Sequence, residues 1–218
     1  MPGARPKAFL IEKRTMTDAS DKITIIYRTS VPHRDLFTAQ QHSEKIFMPL
    51  TERLSSRVAA EALALAGPEP KGVPAVIDTN VVLDLIYWRD PHAEDLRQAL
   101  EEGRIHALRS GEAVMELAEV LSRPAFTGDE DEAARLAALW CSMSVPVDEE
   151  KIREAADVIT VQCRDPLDQK FFTLTLAGGA KLLVSKDKLV LKAGRKMKRY
   201  GACALRPEET AARLDALS

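Results

Sequence analysis

Acidic residues follow two apolar runs of this chain that have the length and composition of buried strands. Asp78 comes directly after Ala75-Val76-Ile77, and Asp187 comes shortly after Leu182-Leu183-Val184. Because ligands of open α/β sheets bind beyond the carboxyl ends of the strands, both carboxylates are expected at one rim of a sheet. Carboxylates gathered at one point repel each other unless cations neutralise them, and hard divalent cations prefer oxygen ligands. The pattern therefore predicts a site for such cations.

A third acid, Asp168, is expected at the same rim. It lies in the segment Cys163-Arg164-Asp165-Pro166-Leu167-Asp168. Asp165 can cap a helix and Pro166 suits the first helical position, so that Asp168 falls in the first turn. Capping and the helix dipole alone would also explain both acids. Asp78 could likewise cap a following helix, and Asp187 could be an ordinary turn acid. The convergence of three acids from distant parts of the chain favours the metal site.

One further acid is harder to choose. A helix is predicted over residues 112–121, and its apolar face consists of Val114, Leu117, Ala118 and Leu121. Glu112, Glu116 and Glu119 all lie on the opposite side, where solvated acids are expected. Periodicity cannot select one of these three glutamates.

The elements that must position these acids follow an alternating order after residue 72. The segment at 67–74 holds three prolines and two glycines, which marks a boundary. Strands are predicted near residues 76–77, 105–108, 144–147, 182–184 and 202–205. Helices are predicted near residues 93–102, 112–121, 130–140, 149–161, 167–176 and 208–217. Alternating strands and helices predict an α/β fold with a central parallel sheet.

The chain is thus predicted to consist of an N-terminal extension over residues 1–72 and an α/β domain over residues 73–218. In the extension, residues 23–27 could form a strand. Leu50, Leu54, Val58, Ala62 and Leu65 have the spacing of an amphipathic helix. A small DNA-binding module is a less favoured interpretation of this order, because such patterns are common in packing elements.

Composition limits the classes of function. The chain has 218 residues, of which 45% are hydrophobic, so it can bury a substantial core. No run approaches the roughly 18 apolar residues of a membrane-spanning helix, and the first residues do not resemble a secretory signal. Three distant cysteines without a C-x-x-C pair predict reduced thiols in a cytoplasmic protein. The formal net charge of -2 gives no global attraction for nucleic acid.

Four short motifs carry a resemblance to a known family. They are VIDTNVVL at 76–83, MELAEVLSRP at 115–124, CRDPLDQKFF at 163–172 and LVSKD at 183–187. In this order and spacing they strongly resemble the PIN-domain family, and within it the VapC-like toxin components of bacterial toxin-antitoxin pairs. The likeness runs from about residue 73 to the C-terminus. It implies a three-layer α/β/α sandwich and an endoribonuclease that depends on Mg²⁺ or Mn²⁺.

The resemblance also assigns roles to residues. It implies that the catalytic, metal-binding acids are Asp78, Glu116, Asp168 and Asp187, and it selects Glu116 over Glu119. We expect Asp78, Asp168 and Asp187 to contact the metal ion, and Glu116 to bind it or position its water. The polar residues beside these acids are expected to assist or orient them; they are Thr79, Asn80, Asp165 and Ser185. A cognate antitoxin and a homodimer are the partners that the resemblance implies.

The chain departs from the family pattern at Lys186, which stands where a compact residue is common. Lys186 could contact the scissile phosphate, or it could pair with Asp187 and hinder metal binding. It begins a basic run that includes Arg195 and Lys196 and that could track an RNA backbone, although a solvated loop explains the run equally well. Four alternatives follow. The favoured one is a PIN fold that binds RNA or a partner without cleaving. An aspartyl-phosphate phosphohydrolase, a nucleotide-binding domain and a zinc site lack their own signatures.

Overall fold

A computed structural model describes residues 11–17, 23–29 and 51–217 of the chain. Its contacts divide the chain into two compact units, Met1–Pro49 and Leu50–Ser218. In the first unit, strands β1 (Ile11–Thr17) and β2 (Ile23–Thr29) pair antiparallel, with Ile11 opposite Thr29. The strand expected at residues 23–27 is therefore present, whereas β1 arises in a segment whose sequence gave no pattern.

The second unit is built around a five-stranded sheet. The strands are β3 (Val73–Ile77), β4 (Ile105–Arg109), β5 (Ser144–Pro146), β6 (Leu182–Val184) and β7 (Cys203–Leu205). They run parallel in the order β5-β4-β3-β6-β7. The predicted α/β class with a parallel sheet is confirmed. β3 lies at the centre, where the turns that follow neighbouring strands meet.

Helices occupy the intervals between the strands. They are α1 (Glu52–Arg57), α2 (Thr79–Leu83), α3 (Glu94–Glu101), α4 (Gly111–Ser122), α5 (Glu130–Met143), α6 (Glu149–Val158), α7 (Gln169–Ala177), α8 (Lys188–Gly194) and α9 (Thr210–Asp215). π-helical turns extend α1 over Val58–Leu63 and α2 over Asp84–Trp88. Asp129 and Asp148 cap α5 and α6 through their side chains. None of the helices in the described ranges is long and apolar enough to span a membrane.

Apolar side chains alternate between the two faces of the sheet, as the two-residue period of a strand requires. Ala75 and Ile77 of β3 belong to one buried cluster, which α1 to α5 cover, and Val76 belongs to the other. Phe171 and Phe172 of α7 lie in this second cluster and are at most 1% exposed. This aromatic pair is therefore part of the core, and the sheet is sandwiched between helical layers.

The helical segment before the predicted boundary packs into the second unit. Leu54, Val58 and Ala62 are at most 1% exposed and share a core with α4 and α5. The boundary at residue 72 falls in the loop that follows this segment. Proline and glycine end the helix, as the sequence predicts, but they do not separate it from the sheet, because its apolar face needs a covering partner.

Arg109, the last residue of β4, fastens this segment. Its side chain is 2% exposed, and its guanidinium donates to the carbonyl oxygens of Cys141 at 2.7 Å, Ser144 and Leu65. Burial lowers the pKa of Arg109, although a guanidinium stays protonated in proteins. Gly67, two residues after Leu65, has a φ of +76°, which disfavours any residue with a side chain. A side chain at this position would in addition collide with the Ser144 carbonyl. The start of the unit is thus held to the ends of β4 and α5.

Candidate active site

Asp78 directly follows the central strand β3 and begins α2. Its Oδ1 accepts the Asn80 backbone N–H at 3.4 Å, and its Oδ2 accepts the Asn80 side-chain amide at 3.0 Å. The Ser185 hydroxyl donates to the same Oδ2 at 2.6 Å. The carboxylate is only 4% exposed. Asp78 is therefore a buried, oriented acid at the carboxyl end of the sheet, as well as a helix cap.

Ser185 joins Asp78 to the segment that carries Asp187. β3 and β6 pair with Ile77 beside Val184, so that the residues after the two strands are neighbours. While Ser185 Oγ donates to Asp78, it accepts the Asp187 backbone N–H at 3.0 Å. Asp187 then caps α8 through Oδ1, which accepts the N–H groups of the next turn at 2.6 and 3.3 Å. Capping thus engages Oδ1 of Asp187.

Asp165 and Asp168 belong to the turn that starts α7. Asp165 accepts the Leu167 N–H at 2.9 Å, and Asp168 is 2% exposed. The half-buried thiol of Cys163 lies close to these acids. The pKa of Cys163 is raised to about 11, first by burial and further by the charges of Asp168, Asp165 and Asp187. The three carboxylates therefore lie near the Cys163 thiol, so the start of α7 and the start of α8 are neighbours.

Glu116 points from α4 toward α7. Its Oε2 lies 2.5 Å from Nζ of Lys170. This contact is an ion pair by distance, although the angles are not those of an aligned hydrogen bond. Glu119 instead pairs with Arg123 at 2.7 Å, and the Glu112 side chain is 72% exposed. Of the three glutamates that periodicity left open, Glu116 is the one that lies nearest to Lys170 of α7.

Asp84 is a site residue that the sequence analysis missed. It is 4% exposed, and its Oδ2 lies 2.5 Å from Nζ of Lys186. Burial raises the pKa of Asp84, and the Lys186 ammonium opposes this shift. Lys186 was expected to face a phosphate or Asp187, but its ammonium is held by Asp84. The available signal was an acid inside the apolar run Val81-Val82-Leu83-Asp84-Leu85, because a buried charge requires a partner.

The remaining predicted residues lie at varied distances from the acids. Thr79 is buried at the first position of α2. Arg195 and Lys196 are exposed and begin the turn after α8. They are separated from Asp187 by the seven residues of α8, a length of about 10 Å. The structure therefore places Asp78 and Asp187 after neighbouring strands, links Glu116 to α7, and leaves Arg195 and Lys196 one helix length from Asp187.

The donor set at this rim fits a hard divalent cation chemically, because it offers carboxylate oxygens from separate elements. Within the described parts of the chain, no three histidine, cysteine or acidic side chains are already arranged around a point that a metal ion could occupy. Asp78 and Asp187 instead accept hydrogen bonds that orient them. The assignment of Asp78, Glu116, Asp168 and Asp187 as metal ligands stays a prediction.

Comparison with known families identifies the unit that carries these acids. The model of the PIN domain matches residues 74–189, which include all four predicted acids and Lys186. The chain belongs to the PIN-domain family. The family resemblance inferred from the four motifs is confirmed, and with it membership of a family whose members are generally nucleases. No curated protein matches the sequence of this PIN protein.

Two solved structures resemble the PIN protein. VapBC2 from Rickettsia felis, bound to a DNA fragment from its promoter, has 13% identity and a TM-score of 0.43, over 62% of this chain and 98% of that chain. PAE2754 from Pyrobaculum aerophilum has 18% identity and a TM-score of 0.42, over 68% of this chain and 99% of that chain. Likeness at this level carries no inference about substrate or partner.

Proposed function

We propose that this PIN protein is an endoribonuclease that hydrolyses RNA phosphodiester bonds with Mg²⁺ or Mn²⁺. The observation that carries the proposal is the Ser185 hydroxyl, which bonds the Asp78 carboxylate and the Asp187 backbone together at the carboxyl end of the sheet. The serine thereby holds the segment that carries Asp187 beside the Asp78 carboxylate. Carboxylate oxygens from neighbouring segments suit the binding of a hard divalent cation.

The proposed roles follow from the orientation of each side chain. Asp78, Asp168 and Asp187 hold the metal ion, and Glu116 binds it or positions the attacking water. When bound, such an ion lowers the pKa of water and neutralises charge on the phosphate and the leaving oxygen. Asn80 and Ser185 orient Asp78 through their hydrogen bonds, as outer-shell partners of metal ligands do. Thr79 and Asp165 assist from the starts of α2 and α7.

The second candidate is a PIN fold that binds RNA or a protein without cleaving it. That alternative gained weight from Lys186, which could have neutralised Asp187. The Lys186 ammonium is instead 2.5 Å from Oδ2 of Asp84, so this lysine is engaged by Asp84 and not by Asp187. This contact favours the enzyme. Lys186 is still 37% exposed and, together with Arg195 and Lys196, is proposed to contact the RNA backbone along α8.

Cleavage of a mixed RNA pool by the purified full chain tests the proposal. We expect cleavage with Mg²⁺ or Mn²⁺, none after EDTA treatment, and recovery when the metal is restored, because the carboxylates alone cannot activate water at neutral pH. Gel analysis of end-labelled RNA would separate internal cuts from stepwise removal of nucleotides. Binding of the RNA without cleavage under every metal condition would favour the second candidate.

We also propose that this nuclease is the toxin of a toxin-antitoxin pair and acts in the cytoplasm. The support is the resemblance of the four motifs to the VapC-like branch, together with three cysteines that all carry free thiols. A cognate antitoxin that covers the acidic rim and a homodimer are the proposed partners.

Growth of a bacterial host measures the toxin proposal. Induction of the full chain alone should arrest growth, and coexpression of the protein encoded beside it should restore growth while both proteins copurify. The Asp78→Asn variant, expressed at the same level, should be harmless. Normal growth with the active chain, at a level where its RNA cleavage is measurable in extracts, would contradict the toxin role and leave the nuclease intact.

A further inference from the structure

Lys170 is a mostly buried lysine beside the candidate active site. It lies in the first turn of α7, two residues after Asp168, and its side chain is 9% exposed. A lysine this deeply buried is rare unless it is paired. Its environment therefore indicates what it does.

Groups from two helices surround the Lys170 ammonium. Nζ donates to the Leu167 carbonyl at 2.6 Å and lies 2.5 Å from Oε2 of Glu116 and 3.7 Å from Oε1 of Glu112. It also lies 5.4 Å from the centre of the Phe171 ring. Glu112 and Glu116 are four residues apart on α4, a spacing at which like charges repel. Lys170 is thus the counter-ion between them.

We infer that Lys170 is a positioning residue that keeps Glu116 in an ion pair, so that the metal ion is held by the aspartates and Glu116 acts on water from outside the coordination sphere. The inference rests on the proposed metal-dependent nuclease and divides its four acids into two groups. For the metal ion to recruit Glu116, it would have to displace an ammonium that is 9% exposed. Breaking this largely buried pair would leave the Lys170 charge compensated only by the more distant, exposed Glu112, which is unfavourable.

Lys186 and Asp84 form a second pair between a lysine and a carboxylate near the candidate site. Lys186 neutralises Asp84, and Lys170 neutralises Glu116. Each lysine comes from an element that also carries a proposed metal-binding aspartate, Asp187 or Asp168 respectively. The two lysines therefore neutralise acids that flank the proposed metal-binding aspartates.

Titration of the full chain with Mn²⁺ alone, followed by the electron paramagnetic resonance signal of free Mn²⁺, tests the inference. Replacing Lys170 with methionine removes the competing cation and releases Glu116, so Mn²⁺ should bind tighter by about tenfold. The Lys170→Arg variant, which keeps the charge, should bind like the parent. Lys151→Met, on the exposed face of α6, is the matched control and should also bind like the parent.

A second variant decides the matter even where Lys170→Met does not fold. In Glu116→Gln, Mn²⁺ affinity should fall by less than about fivefold. In Asp187→Asn it should fall by more than about tenfold, because this variant, unlike Glu116→Gln, loses a direct metal ligand. In RNA cleavage, Glu116→Gln should lower kcat with little change in KM.

The outcomes separate the inference from the proposed function. Equal losses of Mn²⁺ affinity in Glu116→Gln and Asp187→Asn would overturn the inference, since Glu116 would then be a ligand. Unchanged or weaker Mn²⁺ binding in a folded Lys170→Met variant would overturn it as well. A parent chain that binds no Mn²⁺ would instead remove the metal-dependent nuclease, and the inference with it.

Discussion

Replacement of Asp78 by asparagine is expected to lower Mg²⁺-dependent RNA cleavage by a factor on the order of 10³ or more. The change removes one negative charge from a carboxylate that Ser185 and Asn80 already orient. Asparagine caps helices as well as aspartate does, so α2 should persist. The free energy of unfolding should therefore change by no more than about 1–2 kcal/mol. Initial cleavage rates and a thermal melt of the same preparation measure the two effects.

Asp148→Asn is a matched control for this variant. Asp148 also follows a strand of the sheet and caps the next helix through its side chain, but it is exposed at the edge strand β5. Its replacement should leave cleavage within about twofold of the parent, because surface substitutions away from the site have small effects. If Asp78→Asn cleaves RNA as fast as Asp148→Asn, Asp78 has no part in the reaction.

Local sequence was sufficient to predict the positions of Asp78 and Asp187 at the ends of their strands. Asp78 and Asp187 follow apolar runs, and the carboxyl ends of parallel strands meet at one edge. Glu116 was not predictable from periodicity, because three glutamates share the solvent side of α4. What distinguishes it is Lys170, which approaches from α7 and is far away in sequence. The motif resemblance selected Glu116 without giving this physical reason.

The ion pair between Lys186 and Asp84 was also not predictable from local sequence. The sequence places Lys186 beside Asp187, and this proximity suggested that they would pair. Adjacent residues on a chain that turns into a helix point in different directions, so the long lysine side chain reaches Asp84 at the end of α2 instead. Ion pairs between distant segments depend on how the helices pack, which a pattern of residue types does not specify.

Comparison of the predicted with the observed elements shows which helices and strands can be predicted from sequence. Strands and helices with clear apolar periods occur where they were expected, including the short β5. Helix α8 was not predicted, because its seven residues lie in a basic run that suggested a loop. The Asp187 cap starts this helix, and Val190, which is fully buried, anchors it to the sheet. A cap and one buried side chain give too little signal over so short a segment.

The predicted division at residue 72 shows where tertiary packing outweighs local breakers. Residues 64–72 do lie outside helices and strands, whereas Pro74 belongs to β3. The helical segment before them nevertheless buries Leu54 and Val58 against the second unit. The carbonyl of Leu65, at its end, accepts a hydrogen bond from Arg109 of β4. We therefore expect the stability of the PIN domain of this chain to depend on this buried arginine.

Replacement of Arg109 by methionine should lower the free energy of unfolding by about 3 kcal/mol or more. The methionine fills most of the space of the arginine stem but leaves the carbonyls of Leu65, Cys141 and Ser144 without this charged donor. A loss of this size lowers the melting temperature by roughly 6–12 °C in a chain of this length. Differential scanning calorimetry of the full chain measures it.

Arg104→Met is the appropriate comparison, because Arg104 directly precedes β4 but pairs with Asp215 on the surface, with the two side chains 40% and 74% exposed. Its loss should cost less than about 1 kcal/mol, since exposed ion pairs contribute little. If both variants melt within about 2 °C of the parent, a resolution well below the shift predicted for Arg109, Arg109 does not fasten the segment. If only Arg109→Met is destabilised, the residues from 51 to 66 are part of the folding unit, and a nuclease fragment cut at residue 73 should be less stable than the full chain.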